Sequence, residues 1–150
     1  MKKIFVIGAG RSSSSLIKYL LDNSEVEQWE ITVGDISQEM AAAKIGGHKN
    51  AKAIEFDVTS EIHRIREISA ADIVISMLPA FMHVPVARDC VALKKPMVTA
   101  SYVSDEMKQL SDEIINNLPK CKWSECDQVH VDDANDSEFK WDAELVFDHV

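Results

Sequence analysis

The chain has 150 residues, of which 46% are apolar, and a formal net charge of −9 at pH 7. This length suits one ordinary domain, and the negative charge argues against nucleic acids and anionic membranes as partners. No apolar run approaches the roughly 18 residues of a membrane span, and the apolar stretch before Gly8 is too short for a secretory signal. The three cysteines, an odd number, do not suggest a disulfide scaffold, so we expect a cytoplasmic protein.

The first predicted element is a short apolar strand that runs directly into a glycine turn. Residues 4–7 read Ile-Phe-Val-Ile, and the turn follows at once. Gly8 allows a sharp turn, and Gly10 lets phosphate oxygens approach the backbone because it has no Cβ. Ser13 stands where Gly or Ala is usual; it is small enough for close helix packing, and its hydroxyl is a further donor to phosphate. The next helix directs unpaired N–H groups at an anion, and Arg11 either contacts a phosphate or projects into solvent.

The second predicted strand ends in a carboxylate. Asp35 follows Gly10 by about 25 residues, close to the spacing of about 20 for the acid that binds a ribose. A carboxylate there accepts hydrogen bonds from the ribose hydroxyls of NAD and repels the 2′-phosphate of NADP, and Ile36 offers that phosphate no cation. We therefore predict NAD as the cofactor, with NADP as the alternative. The other interpretation is that Asp35 only caps the helix that begins near Ser37.

Strand and helix patterns then alternate, with short connections, as far as residue 117. The predicted strands are Lys3–Ile7, Ile31–Gly34, Ala51–Phe56, Asp72–Met77 and Met97–Ala100. The predicted helices are Ser12–Leu21, Ser37–Lys44, Ser60–Ala70, Met82–Leu93 and Ser104–Asn117. β-Branched runs are typical of buried parallel strands, and right-handed crossovers join such units into an α/β fold with a doubly wound parallel sheet, the Rossmann fold. Cys90 lies on the apolar side of the fourth helix, where we interpret it as a core residue.

Residues 118–150 differ in composition and are interpreted as a separate acidic tail. Apolar and acidic residues alternate over 139–147, which predicts a β-hairpin. Its apolar face either covers the edge of the sheet or forms a dimer surface, because a hairpin alone is marginally stable. Cys121, Cys126 and His130 do not have a usual zinc spacing, so we predict no metal site.

Two longer segments resemble the saccharopine dehydrogenase family of the glutamate-forming type. The first is residues 71–79, ADIVISMLP, followed by His83 and Val86-Ala87. The second is residues 96–104, PMVTASYVS, which runs into Glu106-Met and Leu110. Phe56-Asp57-Val58 also matches. The resemblance covers the cofactor domain of that family, which we place at residues 1–117.

The resemblance implies an NAD(P)-linked oxidoreductase of lysine metabolism that acts on an amino-acid secondary amine through an imine and a hydride transfer. The implied pyrophosphate ligands are Gly8, Gly10, Ser12 and Ser13, and the implied neighbours of the adenosine are Asp35, Ile36, Asp57 and Val58. Leu78 and Pro79 are implied beside the nicotinamide half, and Val98 and Ala100 along the dinucleotide. Ser101 and Tyr102 are implied as hydroxyl donors to the substrate, although Tyr102 could instead pack on the sheet edge. His83 either moves protons at the mouth of the cleft or is bonded locally.

The family's separate substrate domain has no counterpart in residues 118–150, so whether this chain is itself an enzyme is left open. The first hypothesis is the cofactor half of an oxidoreductase, whose substrate pocket is completed by another chain. The second is a non-catalytic dinucleotide-binding or sensor module, with the tail as a partner or homodimer surface. A third is that the nucleotide site has been lost. We favour the first.

Overall fold

A computed structural model describes residues 1–101 and 103–110; the tail predicted at 118–150, with its cysteines, lies outside these described residues. The strands are β1 (Lys2–Ile7), β2 (Trp29–Asp35), β3 (Ala51–Glu55), β4 (Ile73–Ser76) and β5 (Met97–Thr99). They form one parallel sheet in the order β3-β2-β1-β4-β5. The predicted doubly wound parallel sheet is therefore confirmed, and each predicted strand is present within one or two residues of its predicted ends.

The helices lie between the strands along the chain. They are α1 (Ser14–Asn23), α2 (Gln38–Ile45), α3 (Glu61–Ala70) and α4 (His83–Ala92), with single 3₁₀ turns at Arg11–Ser13 and Ala80–Met82. The Ser37 hydroxyl accepts from the N–H of Met40 and caps α2, and Ser60 caps α3 in the same way. Residues 105–110 are also helical, and the Ser104 hydroxyl accepts from the N–H of Met107, so the fifth predicted helix is capped at its predicted first residue.

The sheet is covered on both faces because successive residues of a strand point to opposite sides. Ile4 and Val6 of β1 belong to one core, and Phe5 and Ile7 belong to the other. The first core also contains Ile17, Leu20, Ala41 and Ile45, from α1 and α2. The second also contains Ile68, Val86 and Cys90, from α3 and α4. Two helices thus pack on each face, and β1 is the central strand of the sheet.

The second core depends on one glycine inside a strand. A Cβ on Gly34 of β2 would lie 2.9 Å from both Phe5 Cε2 and Phe56 Cβ. The two phenylalanine rings meet edge to face at a centroid distance of 5.1 Å, a favourable aromatic geometry. Gly34 therefore provides the space for this aromatic pair next to the end of β2.

Cys90 lies in the second core, as predicted from the apolar side of its helix. It is 2% exposed, and burial raises the pKa of its thiol to about 12. A thiol with so high a pKa stays protonated at neutral pH and behaves as a small apolar side chain.

The described helices are short. Each of the four long ones has eight to ten residues, and within the described part of the chain none is long and apolar enough to cross a membrane.

Candidate functional site

The glycine turn leaves the carboxyl end of β1, the central strand. Gly8 has φ +101°, and its N–H donates to the Gly34 carbonyl oxygen at 2.8 Å. A Cβ at this position would lie 3.2 Å from the Met77 carbonyl oxygen, in a tight contact. Both the positive φ and the close approach to the end of β4 require glycine here, which agrees with the sharp turn that the sequence predicts.

Gly10 differs from Gly8 because the fold does not require it. Its backbone has φ −65° and ψ −175°, a conformation open to any residue. A Cβ added there would meet no described atom within 4 Å. The turn therefore presents bare backbone to open space, directly before the 3₁₀ turn and α1, whose first N–H groups have no partner within the helix. This geometry accepts an anion such as a diphosphate, and the residues present thus fit a dinucleotide.

The residues after Gly10 divide into buried and exposed positions. Ser13 is fully buried, and its hydroxyl donates to the Gly10 carbonyl oxygen at 2.9 Å. Its small size therefore serves close packing, and its hydroxyl holds the turn in shape. Arg11 and Ser12 are exposed at the same edge of the sheet. The structure brings these three residues together as the sequence predicts; their contacts with phosphate remain predictions.

Asp35 at the end of β2 connects the glycine turn to the next helix. Its Oδ2 accepts from the N–H of Ala9 at 2.7 Å, and its Oδ1 accepts from the N–H of Ser37 at 3.0 Å. The N-cap of α2 is Ser37 itself, so capping that helix is not the only role of Asp35. Ile36, next to it, has a side chain that is 68% exposed at the same edge. The carboxylate is thus held beside the turn, where a ribose attached to the diphosphate would lie.

The loop after β3 is fixed by contacts within the protein. Asp57 Oδ1 accepts from the hydroxyl of Thr59 at 2.7 Å and from its N–H at 2.8 Å, and these bonds hold the pKa of Asp57 below its usual value. The carbonyl oxygen of Val58 accepts from Arg64 Nη1 at 2.8 Å. Asp57 also donates its N–H to His63 Nδ1 at 3.2 Å.

Sequence reasoning missed the contribution of Arg64 and His63 to this loop. Both lie in the first turns of α3, and neither is part of a recognised sequence motif. The only signal was their place a few residues after the candidate residues Asp57 and Val58. A long cationic side chain in that place can reach back to the carbonyl groups of the preceding loop.

The ends of β4 and β5 lie side by side, since Ser76 is paired with Thr99. Leu78, Val98 and Ser101 are half-buried there, and Pro79 and Ala100 are exposed. Tyr102 lies outside the described residues. His83 is 2% exposed, hydrogen bonded to Ser76 and Thr99, and burial lowers its pKa. It is therefore a buried, locally bonded residue, which was the second of the two interpretations that the sequence allowed.

All the described candidates except Val98, the middle residue of β5, follow or end a strand at one edge of the sheet. In the order of the strands, β1 lies between β2, reached through α1, and β4, reached through α3 on the opposite face. The order in which successive strands are added to the sheet therefore reverses between β1 and β4. Open α/β sheets bind ligands at such a point, outside the carboxyl ends of the strands.

Comparison with known proteins finds a family and individual proteins that are similar to this chain. The family model described as saccharopine dehydrogenase NADP binding domain matches residues 4–122. The mitochondrial alpha-aminoadipic semialdehyde synthase of Bos taurus is 33% identical over 115 residues, which are 75% of this chain and 12% of that protein. The NADP(+), L-glutamate-forming saccharopine dehydrogenase of Saccharomyces cerevisiae is 29% identical over 116 residues, 76% of this chain and 25% of that one.

Solved structures agree with these sequence matches. The apo saccharopine dehydrogenase (L-Glu forming) from Saccharomyces cerevisiae superposes with a TM-score of 0.67 at 27% identity, over 73% of this chain and 24% of that one. A Rossmann-fold NAD(P)-binding family protein from Shigella flexneri has a TM-score of 0.54 at 18% identity, over 76% of this chain and 61% of its own, and shares the fold alone. The chain thus spans about a quarter or less of the length of the two curated relatives described above.

Proposed function

This chain belongs to the saccharopine dehydrogenase NADP binding domain family, and from that premise we propose that it holds an NAD(P) dinucleotide for an oxidoreductase acting on an amino-acid secondary amine. The dinucleotide supplies the hydride acceptor when it is bound. The chain's own residues bind the diphosphate, orient the ribose and place the nicotinamide half at the ends of β4 and β5.

The observation that carries the proposal is Gly10. Gly8 is required by its φ and its neighbours, but at Gly10 the backbone is ordinary and the space beyond is open. A glycine that the fold does not need is explained by a ligand that must approach the backbone closely. Asp35, held beside the same turn by the N–H of Ala9, provides the acceptor for the sugar next to that diphosphate.

The substrate part of the proposal rests on the relatives. Their printed names describe a saccharopine dehydrogenase and an alpha-aminoadipic semialdehyde synthase, and this chain covers 25% and 12% of those proteins. We therefore assign the chain the cofactor-holding part of the reaction, with Ser101 and Tyr102 nearest the substrate and the rest of the pocket supplied from outside residues 1–110. The alternative of a sensor module depends on the tail at 118–150, which lies outside the described residues, and nothing in the described part favours it.

The choice between NAD and NADP is a finer proposal. The family description and the yeast relative's name print NADP, whereas Asp35 places a carboxylate where a 2′-phosphate would carry its charge. The exposed Ile36 adds apolar surface and no cation. We propose that this member binds NAD more tightly than NADP.

Titration calorimetry of the full chain with NAD, NADP and their reduced forms tests both proposals. Asp35→Ala should weaken NAD binding by about tenfold or more, because it removes charge-assisted hydrogen bonds to the ribose. The double variant Asp35→Ser with Ile36→Arg should reverse the preference toward NADP, since it replaces a repelling carboxylate with a cation.

Glu27→Ala is the matched control, because Glu27 is an exposed carboxylate in the turn before β2, at the opposite edge of the sheet. It should leave both affinities unchanged. A wild-type chain that binds neither dinucleotide would contradict the proposed function. Binding with an Asp35→Ala affinity equal to that of the wild type would contradict only the ribose role and the NAD preference.

A further inference from the structure

Three polar side chains meet at the carboxyl edge of the sheet, two of them buried and the third half-buried. Ser76 ends β4, Thr99 ends β5, and His83 begins α4. Ser76 Oγ lies 2.9 Å from His83 Nδ1, and Thr99 Oγ1 lies 2.9 Å from His83 Nε2. Ser76 is fully buried and His83 is 2% exposed. The imidazole is therefore a bridge between two neighbouring strands, with a hydroxyl on each ring nitrogen.

This bridge suits a neutral imidazole. A neutral ring has one N–H donor and one acceptor nitrogen, and a hydroxyl can take either role, so both ring nitrogens are satisfied in either tautomer. Burial lowers the pKa of His83, which favours the same uncharged form. A ring that is enclosed and fully bonded does not exchange protons readily with solvent, so its position serves geometry and not proton transfer at the cleft mouth.

The bridge extends beyond β5 into the segment that leads to the predicted substrate residues. Thr99 Oγ1 also accepts from the N–H of Ser101, at 3.3 Å. A continuous series of hydrogen bonds thus runs from the end of β4 through the imidazole to the backbone of Ser101. Leu78 follows β4 and Ala100 follows β5, and the family resemblance implies that both lie along the dinucleotide.

We propose that Ser76, His83 and Thr99 form a positioning unit that holds the ends of β4 and β5 in the arrangement required by the nicotinamide half of the dinucleotide. The proposal rests on the proposed function, since it concerns where the ligand's reactive half lies. These are positioning residues: His83 acts through Thr99 and Ser101, and the diphosphate and adenosine are held elsewhere, by the glycine turn and Asp35.

The test compares a ligand that has the nicotinamide ring with one that lacks it. We titrate NADH and ADP-ribose into the full-length variants Thr99→Val and Thr99→Ser. The 2′-phosphorylated forms of both ligands are used instead if the wild-type chain prefers them. Thr99→Val keeps the shape and removes the hydroxyl, so NADH binding should weaken by about tenfold, the size of one or two lost hydrogen bonds, and the fluorescence of the bound nicotinamide should change. ADP-ribose binding should stay the same, and Thr99→Ser should behave as the wild type for both ligands.

Two further variants make the result unambiguous. Ser76→Ala removes the other hydroxyl with little change in volume and should show the binding pattern expected of Thr99→Val. It therefore provides the same test if Thr99→Val does not fold. Ser24→Ala removes an equally buried hydroxyl, bonded to the Leu21 carbonyl oxygen at the end of α1, and should affect neither ligand.

The outcomes separate the two proposals. A wild-type chain that binds neither ligand overturns the proposed function. If the wild-type chain binds NADH and ADP-ribose equally well, only the positioning unit is overturned. The same holds if Thr99→Val and Ser76→Ala weaken the binding of both ligands by the same factor, because a general loss of stability would act on both alike.

Discussion

Gly8 and Gly10 lie two positions apart in one turn, but they are glycines for different reasons. Gly8 is fixed by φ +101° and by the Met77 carbonyl group 3.2 Å from its missing Cβ. Gly10 is constrained by neither, as we expect of a residue whose backbone a ligand must approach closely. A pair of alanine substitutions therefore separates a requirement of the fold from a requirement of binding.

For Gly10→Ala we expect a free energy of unfolding within about 0.5 kcal/mol of the wild type, since alanine adopts this backbone without strain. Its affinity for NAD(P) should fall by at least about tenfold, because the new methyl group occupies the path of the phosphate oxygens. Gly8→Ala should instead lose about 2 kcal/mol of stability through its positive φ and tight contact. Urea unfolding and calorimetry measure the two effects; Gly10→Ala binding as tightly as the wild type would contradict the phosphate role of the turn.

At the residue scale, the sequence predicts the site where chemistry and spacing are local. Gly8, Gly10 and Asp35 could be identified because a strand, a turn and a carboxylate follow each other at fixed distances. Ser76 and Thr99 could not, since a hydroxyl at the end of an apolar strand has no signature until the neighbouring strand and the imidazole are placed. The buried position of His83 depends on the packing of α4 against β4 and β5, which no short segment of sequence specifies.

At the scale of elements, Arg64 joins three of them. Its Nε donates to Asp89 Oδ2 of α4 at 2.5 Å, and its Nη1 donates to the carbonyl oxygens of Val58 and Thr59. The side chains of Arg64 and Asp89 are only 12% and 17% exposed. Because both ions are mostly removed from water, each depends on the other, and α3, α4 and the loop after β3 are held as one unit.

Arg64→Ala should lower the free energy of unfolding by about 2 kcal/mol, because it leaves the Asp89 carboxylate and two carbonyl groups without their donor in a partly buried position. Arg64→Lys should recover part of the loss, since it keeps the charge but not the several donors of the guanidinium. Chemical denaturation of the full chain measures both.

The control for this prediction is Lys18→Ala. It removes the Lys18–Asp22 ion pair of α1, whose side chains are 74% and 59% exposed, and such a pair contributes little in water. Its stability should be indistinguishable from that of the wild type. An equal effect of the Lys18 and Arg64 substitutions would contradict the structural role of the Arg64 contact.

The elements themselves were largely predictable, and their ends less so. Apolar strands and serine caps such as Ser37 and Ser60 gave the alternation and the helix starts. The predicted helix from Ser12 proved to be a 3₁₀ turn at Arg11–Ser13 followed by α1, and the predicted helix from Met82 is likewise preceded by a 3₁₀ turn. These tight turns follow the ends of β1 and β4, where the backbone path depends on the neighbouring strands and not on local propensity.

At the scale of the whole molecule, the stability of the fold should depend on pH through His83. Burial lowers its pKa in the folded state below the ordinary value of 6.5, so the unfolded chain takes up a proton at a higher pH than the folded chain does. The contribution of His83 to stability should therefore be complete above about pH 7.5 and should decrease as the pH falls through 6.5, with a slope of at most about 1.4 kcal/mol per pH unit.

Urea unfolding of the wild type and of His83→Gln between pH 5 and 8 measures this effect. The other histidines and the carboxylates are common to both proteins, so the difference between the two curves isolates His83. The carboxylates with lowered pKa values, Glu25, Glu39 and Asp57, contribute only at more acidic pH, since their stabilising effect is lost as the pH falls below about 4.5. Parallel curves would show that the imidazole is not held in its neutral form.

The doubly wound parallel sheet could be predicted because crossovers between parallel strands are right-handed and the strands are rich in apolar residues. The division of the core into two halves also follows from the alternation of residues along β1. The space that Gly34 provides for Phe5 and Phe56 could not be predicted, because it arises where three strands from distant parts of the sequence meet.

The central position of β1 has a consequence for the kinetics of binding. Gly8 donates to the Gly34 carbonyl group on one side, and the Ile7 carbonyl oxygen accepts from the N–H of Met77 on the other, both at 2.8 Å. The glycine turn therefore follows a strand end that is hydrogen bonded on both sides. It is preorganised before a ligand arrives. Little conformational entropy is lost on association, so encounter with the ligand should limit capture more than rearrangement of the turn.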